Sequence, residues 1–534
     1  MSAARGGGGA GGWNHGYFAA GSYASYFHRE LVPGWLDFAA LIRGQPSPRR
    51  REGAAFRFLD LGTGMGYGLC LIAAAHPEGQ FVGVDFLPDH IAHGRWLAAE
   101  LGLENVRFVE ADFLSLRHDP SPLAGADGTA APFAYVVAHG IATWVSAEVR
   151  EALVATASAQ LEPGGIFYCS YNTQPGWLSR TPFQALLQLE QQRSDPSDPR
   201  RPIERSAEQL AALLGSDDNP SVLAQALPTL ATELKRIRSH PDLAYLCGEY
   251  LSLHWQPLYV GEMHGLCAAH KLSHLGSATL PELFEVFLPE RVRSVVTTET
   301  NPAIREALFD LAINQSFRRD LFIKGRVELG GPLRQQALAA VRLRRLQAAG
   351  GPHKDYVFIT SCGEFHADPA LCRALEDLLA DGPCDLSQLG QALALDADAL
   401  LPGLAILVHS GRLALDRGAA AEPAGAPARR ANGRLQRLIA QRGAYSHLVA
   451  PASGGAIPFS FLDGLALEAW GQGIEQADLP GWMELGIQLA GAQLRDEAGQ
   501  LLEEPDLRQQ KLADVVAELL SWRFSLMRDL GALG

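Results

Sequence analysis

Three aspartates and four glycines are spaced as chemistry would need them. In "FRFLDLGTGMGYGLCLIAAAHP", residues 56–77, glycines stand at 62, 64, 66 and 68, beginning two residues after Asp60. An apolar run enters this turn and a helix-like stretch leaves it. Strand, glycine-rich turn and helix let an extended, nucleotide-like ligand lie on bare backbone. Asp85 closes the next apolar run, "VGVD", where a carboxylate can accept hydrogen bonds from both hydroxyls of a ribose. Asp112 closes the one after, in "VEADF", and Phe86 and Phe113 directly follow the two acids, placed to flank a flat ring. The competing reading is that Asp85 and Asp112 only cap the helices after them. The turn carries no Lys or Arg to neutralise a phosphate, and Tyr67 stands where the dinucleotide fingerprint needs its third glycine.

The elements that must hold these residues alternate. "FRFLDLG", "QFVGVDF", "NVRFVEADF", "FAYVVAHG" and "IFYCSYN" read as strands. "GLCLIAAAHP", "PDHIAHGRWLAAELG" and "SAEVREALVATASAQLEPGG" read as helices, the second with proline at its start and glycine at its stop, the third opened by a serine cap. Buried strands alternating with helices predict an α/β fold, a doubly wound, Rossmann-like parallel sheet, followed by mostly helical domains. The expected organisation is a disordered Gly-rich leader (1–12), a ligand-binding α/β domain with an N-terminal aromatic lid (13–180) and a helical region (181–330). A winged-helix-like module (331–417), a linker (418–433) and a helical C-terminal segment (434–534) complete it. "RGAAAEPAGAPARRANG" supplies the linker composition. No internal repeat is visible.

With 534 residues the chain exceeds one hydrophobic core, and 47% hydrophobic against 19% charged residues is a globular balance. A net charge of −14 argues against a nucleic-acid partner, which needs a basic footprint. Two basic clusters, Arg49–Arg51 in a Pro-rich loop and Arg342/Arg344/Arg345 on an expected helix, read as solvated surface. None of the seven cysteines has a metal-ligand spacing, so they read as reduced core residues of a cytoplasmic protein, and no metal is expected. The chain shows neither a signal peptide nor a membrane span. Glu249, His254, Trp255 and Tyr259 in "EYLSLHWQPLYV" read as packing rather than a metal site. Arg318, Arg319 and Asp320 in "NQSFRRDLF" read as an ion-paired joint at a helix end.

The D-x-G-x-G-x-G form of residues 60–66 resembles motif I of class I S-adenosylmethionine-dependent methyltransferases. With "HGIATW", "YCSYNTQPGWLS", "HPDLAYLCGEYLSLHWQPLYV" and "NQSFRRDLF", the chain resembles bacterial class I methyltransferases that carry a methyltransferase regulatory domain, the group that includes rickettsial outer-membrane-protein lysine methyltransferases. The resemblance covers about residues 13–330. It implies S-adenosyl-L-methionine as cofactor, held by Asp60, Gly62, Thr63, Gly64, Gly66, Asp85, Phe86, Asp112, Phe113 and His139, with Asp112 at the adenine amino group. His139, Tyr171 and Asn172 would line the transfer site, and the helical modules would cover the cleft. Trp144 reads as packing or as substrate cage, and Tyr17, Tyr23 and Tyr26 as core or as a lid. Ala142 departs from the family, where an aromatic often stands. The strand-four end "VVAHGIATWVS" lacks the Asn/Asp-Pro-Pro-Tyr signature of enzymes methylating nucleobases or glutamine. The expected activity is methyl transfer to a protein or peptide side chain, lysine by resemblance. The alternatives are a small-molecule or natural-product-peptide acceptor, or a non-catalytic cofactor-binding regulator. A homodimer is left open.

Overall fold

The computed structural model describes residues 26–49, 51–125, 128, 130–195, 198–216, 219–240, 243–346, 355–441, 445–496 and 499–534. The leader at 1–12 and the aromatics Trp13, Tyr17, Phe18 and Tyr23 lie outside the described residues. Helix α1 (Pro33–Ile42) leads into β1 (Phe56–Leu61), α2 (Tyr67–Ala75), β2 (Gly79–Asp85), α3 (Pro88–Leu101), β3 (Val106–Glu110), α4 (Phe113–His118), β4 (Phe133–Ala138), α5 (Ala147–Gln160) and β5 (Leu161–Asn172). Strands β1, β2 and β4 are buried almost throughout, which is why they read as continuous apolar runs. Helix α3 starts on Pro88 and stops at Gly102, whose φ of +70° ends the helix in a left-handed turn. The Ser146 hydroxyl caps α5 by accepting the Val149 N–H.

The five strands run parallel in the order β3–β2–β1–β4–β5. The order reverses between β1 and β4, and a ligand crevice forms over the carboxyl ends at such a switch point. Two more strands complete a seven-stranded sheet: Phe317–Ile323, antiparallel to β5, and Ser273–Ser277 beyond it. The region 181–330 is therefore not purely helical, and "FRRDLF" is strand rather than a helix end. Its apolar alternation is masked by charges that neutralise one another. Arg318 Nε meets both Asp320 oxygens at 2.9 and 3.0 Å, and its terminal nitrogens pair with Glu306 at 2.7 Å and with Asp310. The expected ion-paired joint is present, on a strand.

Helices Thr181–Arg193, Arg200–Leu214, Thr229–Arg238 and Leu243–Tyr250 close on a cluster that includes Trp144, Trp177, Phe183, Leu210, Leu234, Tyr250 and Trp255. Further on, helices Pro369–Leu378, Leu386–Leu393 and Ala397–His409 accompany a three-stranded antiparallel sheet of Cys384–Asp385, Arg342–Arg345 and Leu413–Leu415. Arg342, Arg344 and Arg345 thus lie on a strand, not a helix. Asp416 holds Arg342 at 3.3 Å and Arg344 at 2.6 Å. Arg49 is no surface cation either: it is 4% exposed and is held by Asp37 (2.6 Å), Glu52 (2.8 Å) and the Tyr135 hydroxyl (3.0 Å).

The stretch 418–433 is not a linker. A short 3-10 turn (Gly418–Ala421) runs into the helix Glu422–Ala440, which buries Ala424, Ala428 and Ala431 and packs on α2 and α3. Alanine is the strongest helix former and lets helices approach closely, so the same composition serves a tight interface. A hairpin of His447–Ala450 and Gly455–Pro458 also lies against α2. There the Tyr67 hydroxyl oxygen accepts the N–H groups of Ser446 (3.2 Å) and His447 (2.9 Å). His93 bridges the Met65 carbonyl (2.6 Å) and the Tyr445 hydroxyl (2.8 Å). Among the described residues no single helix is long and apolar enough to cross a membrane.

Candidate active site

Strand β1 delivers Asp60 to the crevice and the chain then turns on three left-handed glycines, Gly62 (φ +82°), Gly64 (+56°) and Gly66 (+74°). A side chain at such φ costs about 1–2 kcal/mol per residue. At Gly62 a Cβ would run into Ile141, and at Gly66 it would sit 2.5 Å from Phe108. Gly64 has nothing within 4 Å of where a Cβ would be, so its main chain lies bare to the cavity. The Gly64 N–H donates to Asp85 Oδ2 at 2.9 Å, and Asp85 Oδ1 accepts the Leu87 N–H at 3.0 Å. His90 Nδ1 also lies 3.3 Å from Oδ2, while Oδ1 keeps a lone pair for a ligand hydroxyl. Burial pushes the Asp60 carboxyl up to about 7.

Two cavities share Gly62. The larger, about 360 Å³, is lined by Asp60, Thr63, Gly64, Gly66, His139 and Asn172 among others. The smaller, about 60 Å³, lies between Asp85, Phe86, Asp112, Phe113 and Ile141, a largely apolar slot. Asp112 does cap α4, accepting the Ser115 N–H (2.9 Å) and hydroxyl (2.6 Å), and it borders the slot as well. Asp85 is not the cap of α3, which Leu87 occupies.

Beyond the glycine turn the larger cavity becomes a chamber of side chains. His139, just past β4, meets the Tyr168 hydroxyl through Nδ1 at 2.9 Å and stacks on His28, ring centres 3.8 Å apart. Burial, with His28 and Arg319 adding, holds its imidazole well below the usual range, so it is neutral. Asn172 Nδ2 donates to Glu249 Oε1 at 3.2 Å, and Trp144 Nε1 to the Glu249 carbonyl at 3.3 Å. Burial raises the Glu249 carboxyl to about 7. Arg180 lies over the Trp177 ring at 4.3 Å and pairs with Glu233 at 2.9 Å. Tyr26 and Phe317 complete the wall.

A methyltransferase-domain model matches residues 53–198, and one described as a predicted methyltransferase regulatory domain matches residues 242–324. An uncharacterized Synechocystis protein is 30% identical over 379 residues, which cover 71% of each chain. The chain belongs to the methyltransferases with a regulatory domain. A second uncharacterized protein, from Rickettsia prowazekii, is 26% identical over 301 residues, covering 56% of this methyltransferase and 51% of its own length. The solved structure of PKMT2 from Rickettsia typhi in complex with AdoHcy superposes with a TM-score of 0.66 at 18% identity, over 94% of this chain and 99% of the other. That likeness extends the shared fold well past the sheet. The chain is an S-adenosylmethionine-dependent methyltransferase.

The structure of this methyltransferase gathers every site residue expected from the sequence except one. Along β5, Tyr168 and Asn172 face the cavity side and the Ser170 hydroxyl accepts the Gly140 N–H, so the odd-numbered residues point the other way. Tyr171 lies in the opposite core, fully buried, its hydroxyl 2.5 Å from Asp320 Oδ2. It cannot reach an acceptor. Ala142 is likewise buried in that core, its carbonyl accepting from Arg150 at 3.0 Å, so the departure there does not border the cavity. Ligand atoms of His264, His274 and Asp320 lie within 4.8 Å of one another, but Arg318 already takes both Asp320 oxygens. Sequence reasoning missed Tyr168, His28, Trp177 and Arg180, and took Glu249 for packing. Period-two alternation would have exchanged Tyr171 for Tyr168. Nothing local marks Glu249, which lies 77 residues from Asn172.

Proposed function

We propose that this methyltransferase transfers a methyl group to a lysine amine of a protein or peptide. The glycine turn fits the cofactor's amino-acid arm because it lines the cavity and nothing lies within 4 Å of where a Cβ would be at Gly64, leaving that space to a ligand. Asp60, Gly62, Thr63, Gly64 and Gly66 hold that arm, Asp85 holds the ribose hydroxyls, and Phe86, Asp112 and Phe113 hold the adenine. When bound, S-adenosylmethionine supplies an electrophilic methyl group on a sulfonium. The chain's part is then positioning, which suffices for much of the barrier in an in-line displacement. His139, kept neutral, and Asn172 face the transfer region without adding a positive charge beside the sulfonium.

The observation that carries the acceptor class is the chamber's far wall, where Trp144, Trp177 and a Glu249–Asn172 pair meet. Aromatic faces and a carboxylate are what an alkyl-ammonium chain needs. The fold neighbour named PKMT2 supports the same reading. The transfer domain includes the strands Ser273–Ser277 and Phe317–Ile323 that complete its sheet, and the helical segments inserted before them and following them select the acceptor. Seven free cysteines support a reducing, cytoplasmic setting. Incubating the enzyme with methyl-tritiated S-adenosylmethionine and bacterial proteins, then hydrolysing the proteins, tests the proposal. Label in methyllysine supports it; label confined to small molecules favours the small-molecule acceptor, and binding without transfer favours a regulator.

A further inference from the structure

Glu249 belongs to the helix Leu243–Tyr250, outside the sheet, yet its side chain lines the cofactor cavity. Asn172, the last residue of β5, fixes one of its oxygens. Among the described residues no hydrogen bond reaches the other oxygen, Oε2. Trp144 and Trp177 flank it on the same wall. The nearby cations are engaged elsewhere: Glu233 pairs with Arg180 at 2.9 Å and with Arg236 at 3.1 Å. A half-buried carboxyl oriented by an amide, lining a cavity with one oxygen not hydrogen-bonded among the described residues and no paired cation, is poorly explained as packing.

We infer that Glu249 receives the acceptor's ammonium group and removes its proton. The inference rests on the amine-acceptor reading above. One N–H bond of the ammonium breaks and an O–H bond forms on Glu249. The freed nitrogen lone pair is then available for the new N–C bond, while the electron pair of the broken C–S bond stays with sulfur. The proton leaves Glu249 for solvent before the next turnover. The groups around Glu249 are Asn172, Tyr250, Arg180, Arg236 and Glu233, with His28, His139 and Asp60 on other walls of the cavity. Arg180 and Arg236 lower its pKa, burial outweighs them, and the balance leaves the carboxyl titrating at about 7. The base form is thus present above pH 7, and the transfer rate should rise as pH passes through that value.

The test compares wild type with Glu249→Gln, both saturated with S-adenosylhomocysteine, by infrared difference titration. Asp60 and Asp310, which burial also raises to about 7, contribute the same background to both proteins, so one carboxyl titration near pH 7 should remain in the wild-type-minus-variant difference. Adding n-butylammonium chloride should move that titration down by about one pH unit or more, as an opposite charge does, whereas n-butanol should not. Unchanged S-adenosylhomocysteine affinity by calorimetry shows that the variant is folded. Formation of methyllysine should slow about a hundredfold in Glu249→Gln and lose its rise through pH 7, and Glu249→Asp should restore part of both. A titration that ignores n-butylammonium, or methyllysine formed by Glu249→Gln with the wild-type pH profile, overturns this inference alone. Label recovered outside amines overturns the function proposed above even where the titration responds.

Discussion

The two ends of the cleft are built differently. The proposed cofactor end is mostly main chain, short acids and two phenylalanines from residues 60–113, closed by Ile141 and held by strand ends and left-handed glycines. The proposed acceptor end is side chains brought from positions as distant as Tyr26, Trp144, Asn172, Glu249 and Phe317. On the proposed reading, generic backbone geometry at the first end would serve any acceptor, and the assembled side chains of the second would decide what is methylated.

If that division holds, damage at one end should leave the other working. The largest effect is expected for Trp177→Ala, which empties a buried aromatic site and removes the Nε1 bond to the Ser316 carbonyl at 2.8 Å. A stability loss of about 3–5 kcal/mol should appear in urea unfolding. Below the unfolding transition, S-adenosylhomocysteine affinity should stay within about twofold; a loss as large as that of any cofactor-end variant would erase the distinction. Next comes Asp85→Ala, which frees the Gly64 N–H and removes the ribose acceptor. Calorimetry should show affinity falling by about 2–3 kcal/mol, roughly a hundredfold, with thermal stability much less affected. Unchanged affinity would refute the ribose role.

The two tyrosines of β5 sharpen the contrast. Tyr171→Phe deprives Asp320 of a donor and should cost about 1–2 kcal/mol of stability while sparing transfer. Tyr168→Phe unhitches His139 and should reduce transfer more than stability. Equal effects would mean that strand parity does not separate structure from chemistry here. The smallest effect is expected for Asp112→Ala, about 1 kcal/mol of stability from the lost cap, measured by thermal melting, with a modest fall in cofactor affinity from its place at the adenine slot. Unchanged affinity would leave Asp112 a helix cap only.

Legibility in the sequence followed the same division. The five parallel strands and the glycine turn were readable because buried strands are continuous apolar runs and left-handed turns demand glycine. The strands Ser273–Ser277 and Phe317–Ile323 were not, since Arg318 and Asp320 are satisfied only by partners such as His264, Glu306 and Asp310, which no local pattern reveals. The helix Glu422–Ala440 was hidden because alanine composition alone does not tell a tether from a close-packed interface. At the site, Asp60, Asp85 and Asp112 are legible because they close successive apolar runs. Tyr171 is misplaced because the period-two alternation of β5 sends it to the face opposite Tyr168 and Asn172, and Glu249 depends on a fold-level encounter.

The grip of Tyr445 and its neighbours on Tyr67 and His93 has a consequence for how the enzyme can be divided. The final ninety or so residues are not an appendage that clips away to leave a minimal catalyst. They are moored to the glycine bend proposed to cradle the methyl donor, so on that reading a protease nick or a ligand that lifts this hairpin would be felt first as slackness in donor retention.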